Sequence, residues 1–369
     1  FCLLTLTGTG APQSAIDFAF FLTRTEHLTE PDRHFTLTRK EIELLSPNTK
    51  NCPTFRTSTD ASITLGLYRC GEILINEDES INPWEVSFLK TFDVSNDSSL
   101  FHEAQDFDDG AQVVEGNKFI GNGDAWLPVY EGKMVQHYNH RAASVKVNPE
   151  NLVRAAQPEP TEESQYLNPE YLPVPQFWMY AQKVEEMFSD SLAVNSLLAI
   201  KKVTSPTNER TFISTLLPRV ACVYSLNVLI SPEKPPLVAA LEANMSSFAF
   251  DYAARQKLGG VNMAQFVINQ LPVHPPERYT PELLAYIVPR VLELTYTAWD
   301  LAAFADDVWS ESSAALQNAI EAQWKNNIKA TDGGHRGAQP PEWVEHSEQA
   351  AEHFPHEPFL WDEERRAHL

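Results

Sequence analysis

The chain has 369 residues, 43% of them hydrophobic and 11% aromatic, enough to bury one large core and to build two or three units. Its 50 acids against 28 bases leave a net charge of −22, which excludes a protein basic over its whole surface, the usual footprint of a nucleic-acid binder. No apolar run reaches the roughly 18 to 20 residues of a membrane span, and FCLLTLTG lacks the flank and cleavage pattern of a signal peptide, so a cytoplasmic location without a membrane partner is expected.

Residues 1–75 alternate short apolar runs with Thr-rich turns. CLLTLT and DFAFFLT read as strands on either side of a Gly-Thr-Gly-Ala-Pro turn, and ITLGLYRC reads as a helix. Phe1 opens straight into its strand-like run with no polar lead, the pattern expected of a chain entered in mid-domain. Residues 76–115 hold 11 acids and one base, which predicts loops around a strand near Val86 to Phe92. Order returns over residues 119–147. PEPTEESQYLNPEYLPVPQ then predicts an extended surface connection.

AVNSLLAIKKV and RTFISTLLPRVACVYSLNVLI are rich in β-branched and apolar residues and read as strands broken at Pro206 and Pro218. LVAALEANMSSFAFDYAARQKL has apolar spacing of three and four, which predicts one amphipathic helix ended by Gly259 and Gly260. FVINQLPV reads as a last strand. The pattern is helical from Pro281, and the acidic, Pro-interrupted end is expected to be loosely held. Cys2, Cys52, Cys70 and Cys222 show no metal or disulfide spacing and are expected to be reduced, mostly buried thiols.

Charge is uneven. Residues 280–369 carry 16 acids against six bases, whereas residues 201–281 come out at +3, so a mildly basic middle can hold a phosphate backbone locally.

No stretch carries a complete catalytic signature. Phe119-Ile-Gly-Asn-Gly123 matches the F-x-G-x-G turn that holds S-adenosylmethionine, but an acidic loop precedes it and Pro128 follows where a helix should run. Thr7-Gly-Thr-Gly10 fails for a similar reason, with Pro12 behind it. Asn168-Pro-Glu-Tyr171 approaches the Asn/Asp-Pro-Pro-Tyr/Phe motif that grips a flipped adenine, but Glu170 replaces the second proline. No Gly-x-Ser-x-Gly, phosphate-loop or His-Glu-x-x-His pattern occurs. His137 and His140 could form a metal pair, yet no third ligand is visible, so they read as surface histidines. No catalytic, cofactor or metal residue is assigned.

As consecutive blocks, HFTLTRKEIELLSPNT, CPTFRTSTDASITLGLYR, LPVYEGKMVQHYNHR, TNERTFISTLLPRV, FDYAARQKLGGVNMAQFVINQLPV, RVLELTYTAWDLAAFA and PFLWDEERR resemble the large adenine-N6-specific DNA methyltransferases of fused restriction-modification and phage-defence systems. The resemblance is collinear over nearly the whole chain. It departs at Ser46-Pro-Asn-Thr49, where family members read Asn-Pro-Asn-Thr. It implies an α+β fold: residues 1–94 as the last strands of a methyltransferase sheet with a connecting segment, 95–272 as a β-rich target-recognition domain, and 273–369 as a C-terminal helical region with an acidic tail. It also implies a catalytic region before Phe1 carrying the S-adenosylmethionine motifs, so this chain alone is expected to be inactive and to hold no cofactor.

The implied partners are double-stranded DNA and that methyltransferase domain. Base reading needs Arg, Lys, Asn or Gln forks beside residues that hold phosphate, and such side chains concentrate in two blocks. One is Lys133, Gln136, His137, Asn139, His140 and Arg141. The other is Lys201, Lys202, Thr204, Thr207, Asn208, Arg210 and Thr211, in a Pro-punctuated turn that reads equally as an ordinary polar loop. Arg210 is the first choice for a base or phosphate contact. The competing expectations are a protein-interaction scaffold of a defence complex, motivated by the −22 charge, and an inactive remnant.

Overall fold

The computed structural model describes residues 3–107, 112–114, 118–121, 124–151, 153, 155–188 and 195–369. Helices and mostly antiparallel strands are mixed along the chain, in keeping with the α+β expectation. Among the described residues no helix is long and apolar enough to cross a membrane. The chain forms two compact units, Phe1–Pro83 with Ser205–Thr211 and Phe248–Pro275, and Trp84–Thr204 with Phe212–Ser247 and Pro276–Leu369. This grouping follows contact and not order along the chain.

In the first unit the strands Ala15–Ala19 and His34–Thr38 pair antiparallel, from Ala15 opposite Thr38 to Ala19 opposite His34. Thr38 then starts helix Arg39–Leu45 with a capping box: its hydroxyl accepts from the Glu41 amide and the Glu41 carboxylate accepts from its own. Thr57 and Asp60 do the same for helix Ser58–Cys70. Phe35, Leu37, Leu45, Phe55, Leu65, Tyr68 and Ala253 form the core.

Two strand expectations fail in this unit. Leu3, Leu4 and Leu6 are 94%, 75% and 80% exposed and form no strand, because no neighbouring strand among the described residues pairs with them. FVINQLPV forms helix Gln265–Ile268 and only the two-residue strand Pro272–Val273, paired with Glu72–Ile73. A short apolar run does not distinguish the two by periodicity, and here the Tyr68 hydroxyl and the Ile75 amide, bonded to the Gln270 and Asn269 carbonyls, fix the turn between them.

Besides the two-stranded pair Ala143–Val147 and Ala156–Pro160, the described residues of the second unit form two larger sheets. One runs Trp178–Tyr180, Asp124–Tyr130, Lys118–Gly121, Gln112–Val114, with Ala221–Cys222 parallel to Asp124–Tyr130; the other runs Ser214–Pro218, Ser196–Lys201, Leu226–Ile230, Ser87–Leu89, all antiparallel. Val129, Tyr130, Met179, Leu197, Ala199, Leu217 and Val228 share one core. Helices Pro281–Thr295, Ala302–Ser310 and Ala314–Ala330 follow.

The single helix expected over residues 237–258 is two, Pro235–Ser246 and Phe248–Lys257, because Ser247 between them is extended. The predicted surface connector contains strand Ala156–Pro160, paired with Ala143–Val147, and helix Glu163–Tyr166. The acidic end is also pinned: Phe354 and Phe359 are buried, and Arg365 bonds the Glu293 carboxylate. Of the thiols, Cys222 alone is buried, Cys52 is half-buried and Cys70 exposed, all free, while Cys2 lies outside the described residues.

Candidate nucleic-acid interface

The first polar block turns inward. Arg141 is fully buried, and its guanidinium donates to the carbonyls of Asn168 and Tyr171 at 3.0 and 3.1 Å, to that of Tyr166 at 3.3 Å, and to the Thr297 carbonyl and hydroxyl at 2.9 and 3.1 Å. Burial lowers its pKa while Asp300 acts in the opposite sense. With its terminal nitrogens committed to carbonyls, Arg141 is a brace and not a base reader. The same bonds explain Asn168-Pro-Glu-Tyr171, whose carbonyls are the guanidinium's acceptors. Asn139 is buried and donates to the Tyr166 hydroxyl at 2.8 Å, and His140, 1% exposed, pairs with Asp300 at 3.0 Å. His137 bonds the Ser246 carbonyl. His140 is therefore not a surface group and His137 is half-buried, and the two bond different partners.

A strap closes over this block. Arg366 donates to the carbonyls of Leu294 and Tyr138 and packs 3.6 Å from the Trp361 ring, which stacks on Tyr166 at 4.0 Å. Desolvation pulls the Arg366 pKa down to about 10. Lys133 is half-buried against Glu131 at 2.9 Å, and Gln136 alone is exposed, its backbone closed in a tight turn with Asn139.

The second block divides. Lys201 is half-buried near the Val135 carbonyl with its pKa lowered by burial; Lys202 lies 3.1 Å over the Tyr224 ring; Thr204 is buried. These three belong to the second unit. Thr207, Asn208, Arg210 and Thr211 belong to the first. Thr211 is buried, its amide bonded to Asp251 at 2.7 Å, whereas Thr207 and Asn208 are exposed. Helix Phe248–Lys257 holds this turn: Arg255 donates to the carbonyls of Pro206 and Glu209, each at 3.0 Å, and pairs with Asp251 at 3.1 Å.

Against that helix the Arg210 guanidinium lies 4.6 Å from the ring of Phe248, which is 84% exposed. Phe248 is a residue sequence reading missed, because a Phe within an apolar-spaced helix looks like core. The first unit carries 10 Lys and Arg against 13 Asp and Glu, a charge of −3, and the second carries the remaining −19. The polar turn thus sits in the unit that repels phosphate least.

Phe119-Ile-Gly121 lies in a strand paired antiparallel with the next, Gly121 opposite Asp124, so the element that follows is a strand and not a helix. Asn122 and Gly123 lie outside the described residues. Ser46-Pro-Asn-Thr49 is a brace within the first unit: Asn48 bonds the Ile75 carbonyl and the Glu77 amide, Thr49 bonds Gln270, and Lys257 donates to the Leu45 carbonyl and to the Ser46 hydroxyl at 2.7 Å. No protein-family model, curated protein or solved structure matches the chain.

Proposed function

We propose that this chain is the DNA-target-recognition portion of a large adenine-N6 DNA methyltransferase, reading duplex DNA for a catalytic domain that supplies S-adenosylmethionine and the base-gripping motif. The observation that carries the reading is the Arg210–Phe248 pair beside the exposed Thr207 and Asn208. An arginine offers a planar fork to guanine or phosphate, an exposed ring offers a surface to a base step, and Arg255 and Asp251 hold the turn's backbone so that little order is lost on binding. The exposed run Leu3, Leu4 and Leu6 supports it further, since an apolar segment without a partner strand among the described residues suits an interface with another domain.

The test is fluorescence anisotropy with labelled duplex DNA over a salt series, using the wild type, Arg210→Ala, Lys202→Ala and Phe248→Ala. Loss of a bidentate contact is expected to weaken binding by about 1–3 kcal/mol, and loss of a phosphate contact to flatten the salt slope by about one unit. Unchanged affinity and slope in all three variants would move the surface elsewhere. A second reading, a protein-interaction scaffold of a defence complex, draws on the −19 charge of the second unit. Failure of the wild type to bind duplex DNA even at low salt would favour it.

A further inference from the structure

Helix Ala302–Ser310 presents one buried carboxylate, Asp306, to a segment some forty residues further along the chain. One oxygen accepts from the Phe354 amide at 2.7 Å. The other accepts from the Ser347 amide at 3.1 Å and faces Nδ1 of His346 at 2.8 Å. Pinning both ends of residues 347–354 to one side chain folds the segment back on itself, which brings His353 onto His346 with the ring centroids 4.5 Å apart and the planes within 16°. One donor atom from each of Asp306, His346 and His353 then lies within 4.8 Å of the other two.

We propose that Asp306, His346 and His353 form a binding site for a divalent transition-metal ion of the zinc class. Two imidazoles and one carboxylate are a donor set that suits zinc and not magnesium or calcium, which prefer oxygen alone. The ion would replace the proton shared between His346 and Asp306 and draw the second imidazole to the same centre. His346 is a third exposed and His353 is exposed, so a fourth position is open to water. The backbone donors on Asp306 supply the outer support that orients a metal-binding carboxylate. Asp307, the next residue, is held by Ser347 and Asn195 and stays outside the set. A bound ion would clamp residues 346–354 to the helix.

The inference does not depend on DNA recognition. The chelator-treated full chain is titrated with Zn²⁺ against a chromophoric chelator, in parallel with His346→Ala and His353→Ala, and the Tm of each is read with and without Zn²⁺. The expected result is one tight equivalent in the wild type and a rise in Tm. Each variant, with unchanged circular dichroism, should lose affinity by at least the roughly 10- to 100-fold that loss of an outer-shell partner costs, and should lose the Tm rise. His353 is exposed, so its replacement tests the site without disturbing the core. Absence of a tight equivalent in the wild type, or the same affinity and Tm rise in both variants, would overturn the proposal.

Discussion

Glu242 offers a test of the interior of the second unit. It lies on helix Pro235–Ser246 with no exposure; one carboxyl oxygen accepts from the Ser246 hydroxyl at 3.1 Å and the other has no hydrogen-bond partner among the described residues. Burial pushes its pKa from 4.5 up to about 8, while the Ser214 and Ser246 hydroxyls pull it back. A carboxyl whose folded pKa is raised takes up a proton on folding, so the stability it confers is complete below the unfolded value and is lost as pH rises through the folded one. Between those limits the slope approaches about 1.4 kcal/mol per pH unit, and the whole interval is worth at most roughly 5 kcal/mol. Glu242→Gln keeps the shape and removes the proton. The assay is urea unfolding of both proteins, followed by tryptophan fluorescence at several values between about pH 5 and about pH 8. The stability of the wild type relative to Glu242→Gln should fall steadily with pH. Parallel curves across that range would refute the argument, since they would mean that Glu242 does not change protonation on folding.

Lys257 should behave in the opposite sense: burial pulls its pKa from 10.5 down to about 7, so its contribution is present at high pH and lost as pH falls through neutrality, and a lysine carbon NMR titration should show one midpoint near 7 and not near 10. Arg141→Met should lower stability by roughly 3–5 kcal/mol, because four carbonyls, that of Thr297 fully buried, lose their donor, and thermal unfolding measures this. Gly132→Ala should cost about 1–3 kcal/mol on the same measurement, because the added Cβ would stand 2.7 Å from the backbone carbonyl of Ser225; an unchanged Tm would show that the turn at Ser225 yields.

Local order was legible in the sequence because its causes are local. Thr38 with Glu41 and Thr57 with Asp60 write two helix starts within four residues each, and the apolar runs over Ser196–Lys201 and Leu226–Ile230 need no distant partner to be read as strand. What each polar side chain does was not legible. Arg141 and Arg210 look alike as members of polar blocks, yet one is sealed under carbonyls contributed by residues 166–171 and 297 while the other lies along an exposed ring. Phe248 reads as core by its spacing and is solvated because the buried face of its helix is taken by Phe250, Asp251, Ala253 and Ala254. Asp306, His346 and His353 form no motif, since Asp306 stands 40 residues before His346 in the chain. Composition and periodicity determine which segments become helix and strand; burial, and with it the chemistry left to each charge, is decided by which segments meet, and that depends on contacts between residues far apart in the chain.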